Sequence, residues 1–87
     1  MLERKITVTN KSGLHARPAA LLVQTASKFS SDITLVKGAS EVNAKSIMGI
    51  MALGAGQGTE LTIKVNGADE EEALNALLEL FNSNFGE

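Results

Sequence analysis

The sequence contains no cysteine. Disulfides, thiolate nucleophiles and zinc–thiolate sites are therefore excluded. Tryptophan and tyrosine are also absent, and the only aromatics are Phe29, Phe81 and Phe85. Three rings do not make a stacking platform for single-stranded nucleic acid. The net charge of −2 gives no general attraction to nucleic acid or anionic lipid. No apolar run is long enough to span a membrane. The N-terminal MLERKITVTN alternates charged and apolar residues, unlike an export signal. The expectation is a cytoplasmic protein with no membrane insertion. Proline and histidine are nearly absent too. The one histidine, His15, and the one proline, Pro18, sit three residues apart with Arg17 between them.

What is present suits a globular protein. A chain of 87 residues fits one domain, 1–87, with 44% hydrophobic and 21% charged residues. The charge is uneven. Residues 1–45 hold seven Lys or Arg and three acids, whereas residues 46–87 hold one Lys and seven acids. His15 lies in the basic half, which favours an anionic substrate.

Residues 2–9 alternate, with Leu2, Arg4, Ile6 and Val8 on one side and Glu3, Lys5, Thr7 and Thr9 on the other. That is the period of a half-buried strand. Asn10 to Gly13 is turn chemistry. From Pro18 to about Phe29 the spacing is helical, with Ala19, Leu22, Val23, Ala26 and Phe29 on one face. Ala16, Ala20, Gln24 and Ser27 make a second face, small and polar. Ile33 and Leu35 start a second strand that ends at Lys37-Gly38, and Glu41-Val42-Asn43 completes a hairpin. Ser46 precedes a two-turn helix over Ile47 to Leu53. Leu53 to Gly58 is read as a flexible connector, because it lacks the third glycine and the following helix of a nucleotide loop. Leu61, Ile63 and Val65 form a fourth strand. Asp69 is expected to cap a last helix, with Glu72 in capping-box spacing. Leu74, Leu77, Leu78, Phe81 and Phe85 are its apolar stripe. Glu70, Glu71 and Glu72 complement its dipole. The order β-α-β-β-α-β-α predicts an α+β fold: a two-layer sandwich of an antiparallel sheet with helices on one face.

No cluster of His, Asp and Glu has metal-ligand spacing, so neither a metal nor a cofactor is expected. No serine lies in a nucleophile elbow. His15 is the distinctive group. A helix start carries partial positive charge and unpaired N–H groups, and Arg17 adds a full charge. Both disfavour a protonated ring and favour the neutral, nucleophilic imidazole. The same surroundings attract phosphate. Pro18 suits a helix start and should bias Arg17 away from helical dihedrals, beside the histidine. The small Ala16 and Ala20 leave room for a partner to approach.

Gly13-Leu14-His15-Ala16-Arg17-Pro18-Ala19 resembles the phosphorylation-site motif of the HPr family, the histidine-containing phosphocarriers of the bacterial sugar phosphotransferase system. Lys45-Ser46-Ile47-Met48-Gly49-Ile50-Met51-Ala52-Leu53 resembles that family's regulatory serine motif. The resemblance covers essentially the whole chain. It implies an open-faced β-sandwich of four antiparallel strands and three helices, and a carrier, not an enzyme. His15 would accept a phosphoryl group on Nδ1 from phospho-Enzyme I, itself charged by phosphoenolpyruvate, and pass it to EIIA proteins or domains. Arg17 would stabilise the phosphoryl charge, and the Ala16 and Arg17 amides would bind its oxygens.

Ser46 on its own reads as a helix N-cap. The resemblance adds phosphorylation by HPr kinase/phosphorylase and binding of the phosphorylated form to catabolite control protein A. Ile47, Met48 and Met51 are either core or an exposed docking patch. With Ala16, Ala20 and Gln24 they make the expected partner-binding surface. Two further readings compete. One is a carrier in the nitrogen-regulatory phosphotransferase branch. The other is a regulatory module acting only through phospho-Ser46, against which the presence of His15 argues. A small hydrolase using His15 as general base lacks an orienting acid. A monomer is expected.

Overall fold

A computed structural model describes residues 1–87. The chain runs β1 (Leu2–Thr7), α1 (Ala16–Ala26), β2 (Asp32–Lys37), β3 (Ser40–Asn43), α2 (Ile47–Leu53), β4 (Glu60–Asn66) and α3 (Glu70–Asn82). A short 3-10 turn, Asn84–Gly86, follows. The strands form one antiparallel sheet in the order β1-β4-β2-β3. The expected α+β architecture is therefore present.

Register follows from the alternation. Val65 lies opposite both Leu2 and Ile33, and Ile63 opposite Leu35. The period of two sends Leu61, Ile63 and Val65 inward from β4, with Ile33 and Leu35 beside them, all buried. From α1, the helical spacing brings Ala19, Leu22 and Ala26 onto that row. From α3 it brings Ala73, Leu74, Leu77 and Phe81. Nineteen buried apolar residues make one contiguous cluster. Fully burying a side chain such as Leu22 stabilises the fold by about 2 kcal/mol. The other face of the sheet has no helix over it.

Four details depart from the sequence reading. Helix α1 begins at Ala16, two residues before Pro18, so Arg17 lies inside its first turn. The backbone turns left-handed at Ala16 instead, with φ 44°. Proline is tolerated at the third helical position instead of the first, because every N–H of a first turn lacks an intrahelical acceptor.

Asp69 stands at the start of α3 but makes no side-chain cap, and the capping box with Glu72 does not form. Its carboxylate instead accepts hydrogen bonds from the Ser30 and Ser31 N–H groups, at 2.9 and 3.0 Å, and from the Ser31 hydroxyl. Glu70 takes over part of the local work by accepting from the Gly67 N–H at 3.1 Å. The α1–β2 turn offers Asp69 three donors, and a local cap would offer one.

Phe85 is in the core but not on α3. The helix ends at Asn82, and Asn84 and Phe85 turn left-handed with φ 53° and 55°. This swings the Phe85 ring back against Phe81, edge to face, with centroids 4.9 Å apart.

The connector after α2 is pinned, not free. Ala55 is buried, Leu14 N–H donates to the Ala55 carbonyl at 2.8 Å, and Gly58 N–H donates to the Val8 carbonyl at 2.7 Å. Val8 returns a bond to the Thr59 carbonyl at 2.9 Å.

A cradle around His15

The site is built from three loops meeting at one end of the sandwich. The first is the turn from Asn10 to Leu14. Gly13 has φ 65°, and a Cβ there would lie 2.5 Å from the Ala55 carbonyl oxygen. Both facts demand glycine. Leu14 is buried and hydrogen-bonded to Ala55, which fixes where the next residue leaves the surface.

That next residue is His15. It occupies the N-cap position of α1 in an extended conformation, φ −129° and ψ 153°. Its side chain makes no capping hydrogen bond and is exposed. The imidazole is thus presented to solvent at a helix start. The Ala16 and Arg17 N–H groups find no acceptor within the chain. With no acidic residue in the first turn, nothing there offsets the partial positive charge of the helix end. Ala16 holds a left-handed conformation that costs a non-glycine residue about 1–2 kcal/mol.

The second loop is Gly54–Gly56, immediately after α2. Gly54 ends the helix in the left-handed conformation that glycine favours. Lys37 Nζ donates to the Leu53 and Gly54 carbonyls at 3.1 and 3.3 Å, placing a cation on the negative end of α2. His15, Ser12, Met51 and this loop line a shallow hollow of about 200 Å³.

The third is the C-terminal turn. Arg17 Nη1 donates to the Phe85 carbonyl at 3.4 Å. Pro18 therefore does not simply set the guanidinium beside the imidazole, because the hydrogen bond that Arg17 makes goes to the end of the chain. Glu87 accepts from the Ser12 hydroxyl at 2.6 Å and from the Asn10 amide at 3.3 Å. The Ser12 hydrogen bond holds the Glu87 carboxyl below its ordinary value; desolvation opposes it, and the Asn10 amide and the charge of Arg17 add smaller effects in the same direction as Ser12.

The serine motif lies at the other end of α2. Ser46 is the N-cap, with φ −110° and ψ 112°, and its hydroxyl accepts from the Gly49 N–H at 3.1 Å. After it Ile47, Met48 and Met51 face solvent. Met48 is 80% exposed, Met51 41% and Ile47 39%. Gln24 and Ala16 are exposed on α1, and Ala20 is half-buried. Met51 belongs both to this apolar surface and to the His15 hollow, which joins the two.

Sequence reasoning missed several contributors: Asn10, Ser12, Lys37, Ala55, Phe85 and Glu87. Gly13 carried a local signal, a glycine closing a polar turn. Glu87 carried none, because its partners lie 75 and 77 residues away in the chain.

Comparison with known proteins gives one consistent family. Residues 2–83 match the family model described as the PTS HPr component phosphorylation site. A phosphocarrier protein HPr of Xylella fastidiosa (strain Temecula1 / ATCC 700964) is 58% identical over 87 residues, covering 100% of this chain and 98% of that relative. The crystal structure of HPr-C-His from Thermoanaerobacter tengcongensis superposes with a TM-score of 0.98 at 60% identity, covering 100% of this chain and 98% of the other. The domain-swapped dimer of Crh, a catabolite repression protein of Bacillus subtilis, gives a TM-score of 0.77 at 49% identity, covering 97% of each chain.

Proposed function

The chain belongs to the HPr family of phosphotransferase-system phosphocarriers, and from that premise we propose that it carries a phosphoryl group on His15. The observation that carries this reading is the open start of α1: an exposed imidazole in the N-cap position, followed by two N–H groups with no acceptor. In this reading the neutral ring attacks phosphorus with the Nδ1 lone pair. The bond from phosphorus to the donor, phospho-Enzyme I, breaks, and its electron pair leaves with the donor. The Ala16 and Arg17 N–H groups then donate to the phosphoryl oxygens, and the Arg17 guanidinium contributes charge.

A carrier must release what it takes. Each 1.4 kcal/mol of added stabilisation shifts transfer by about tenfold. An open helix end and one exposed arginine contribute about 1 kcal/mol each. That suits reversible transfer to EIIA proteins or domains, with the chain as a stoichiometric, cytoplasmic, single-domain carrier and not an enzyme. No helix is long and apolar enough to cross a membrane.

The docking surface in this reading is Ala16, Ala20, Gln24, Ile47, Met48 and Met51. Ser46, at its margin, is the regulatory site, modified by HPr kinase/phosphorylase and read by catabolite control protein A. A phosphate there keeps an acceptor near the Gly49 N–H, so the fold persists while charge is added to an apolar surface. The chain is a monomer in this account, and sedimentation at micromolar concentration would show one species of 9.1 kDa. A dimer like that of the Crh relative is the alternative outcome.

The decisive experiment is an intact-mass assay with phosphoenolpyruvate and Enzyme I. Wild type should gain one acid-labile phosphoryl group, and His15→Ala should gain none. Transfer only from the first enzyme of the nitrogen-regulatory branch would instead place the chain there.

A further inference from the structure

With no cysteine in the sequence, its only sulfur atoms are those of three methionines. Methionine is among the residues most often fully buried. Here Met1, Met48 and Met51 are all exposed. Met48 and Met51 stand three residues apart on α2, so they are neighbours on its surface. The opposite side of that helix does the packing, where Ile50 and Leu53 are buried in the core. The two thioethers of α2 therefore lie outside the contacts that hold the helix down.

Their position matters more than their number. Met51 lines the hollow that holds His15. Met48 lies two residues past the Ser46 cap, beside the exposed Ile47. A small oxidant reaches both sulfurs without any unfolding. Oxidation turns a flexible apolar side chain into a polar one.

We propose that Met48 and Met51 are a peroxide-modification site: their conversion to sulfoxides releases the chain from Enzyme I, and reduction of the sulfoxides restores docking. The inference rests on the phosphocarrier reading and on the docking surface described with it. Each sulfur attacks one oxygen of hydrogen peroxide with a lone pair. An S–O bond forms and the O–O bond breaks. The proton on the transferred oxygen passes to the departing hydroxide, which leaves as water. Sulfur is oxidised and the peroxide is reduced. A sulfoxide oxygen in an apolar contact loses its water on docking and gains no partner, which weakens the complex. The core is untouched, because Ile50 and Leu53 carry no sulfur.

The test is the KM of the full chain in phosphoryl transfer from phospho-Enzyme I, before and after treatment with hydrogen peroxide that is then removed. Fragment masses locate the added oxygen. Variants are Met48→Leu, Met51→Leu and the pair, since leucine keeps the volume and lacks the sulfur. Each protein is compared with its own untreated form, so any change that leucine makes to the starting KM drops out. Oxidised wild type should show a KM raised about tenfold with kcat little changed, the scale of one interface side chain lost. Methionine sulfoxide reductases acting on the two sulfoxide epimers should restore it. Each single variant should show a smaller rise. The pair should show none, although Met1 is still oxidised. An unchanged KM in wild type carrying both sulfoxides overturns the proposal. So do an equal rise in the pair, sulfurs at 48 and 51 that resist peroxide, and a rise accompanied by loss of the helical circular-dichroism signal. An untreated wild type that takes no phosphoryl group from active Enzyme I is a separate result, and it removes the carrier reading itself.

Discussion

Helices α1 and α2 begin in opposite ways. At α2 a serine closes the end, its hydroxyl accepting from Gly49 N–H. At α1 the N-cap residue is a histidine that caps nothing, and the next residue is strained. Both ends belong to one surface, linked through Met51. A closed end contributes stability and an open end keeps binding capacity. In the proposed reading, the open end is where an anion is received and the closed end is where modification would add charge.

The strongest way to break this contrast is to disturb what holds the open end. Gly13→Ala forces a Cβ against the Ala55 carbonyl in a left-handed conformation. It should cost about 2–4 kcal/mol in urea unfolding. A loss below about 1 kcal/mol would show that the His15 loop is not fixed by this contact.

Charging the closed end comes next. Ser46→Asp adds an anion beside Met48 and Met51, and should raise the KM for Enzyme I about tenfold with kcat little changed. An unchanged KM would remove Ser46 from the docking surface.

The contrast in capping itself is smaller. Ser46→Ala should cost about 1 kcal/mol, as loss of an N-cap does. His15→Ala should stay within about 0.5 kcal/mol, because no cap is lost. Equal losses at both would erase the distinction.

The third helix start supplies the mildest test. Asp69 is held below its ordinary value, first by the Ser31 hydroxyl and then by the Ser30 N–H, while desolvation opposes. A carboxylate with a depressed folded-state value stabilises the fold above its unfolded value. That contribution fades as pH falls through the acidic carboxylate range. Asp69→Asn should flatten that part of the stability profile, and an identical slope in both proteins would show the latch to be inert.

These differences also explain how much of the molecule the sequence displays. Alternation in Leu61-Ile63-Val65 and helical spacing in Leu74-Leu77-Phe81 announce their elements, because one face of each must be buried. His15, Arg17 and Ser46 stand out because their residue types are chemically rare or suggestively placed. Two of the misjudged features, the Asp69 latch and the pinned connector, are long-range, and the other two are local left-handed turns at Ala16 and at Asn84-Phe85. Asp69 leaves its helix for Ser30 and Ser31, which local rules do not bring near. Phe85 keeps the spacing of α3 yet reaches the core by a left-handed turn. Leu53 to Gly58 reads as loose because of its glycines, but it is held by backbone bonds to Val8 and Leu14. Local pattern reports which residues want burial or a cap. It does not report which distant donor arrives first.

The strand order carries a consequence for how the molecule comes into being. β1 is at the edge of the sheet, and its only partner strand is β4, so Leu2 waits for Val65. A chain leaving the ribosome makes the β2–β3 hairpin long before β1 can pair, since closing distant contacts is the slow step. Leu14 likewise waits for Ala55. The first strand and the loop that carries the imidazole thus settle only after Val65 and Ala55 have been made. A nascent chain has its histidine early, but not the cradle that surrounds it.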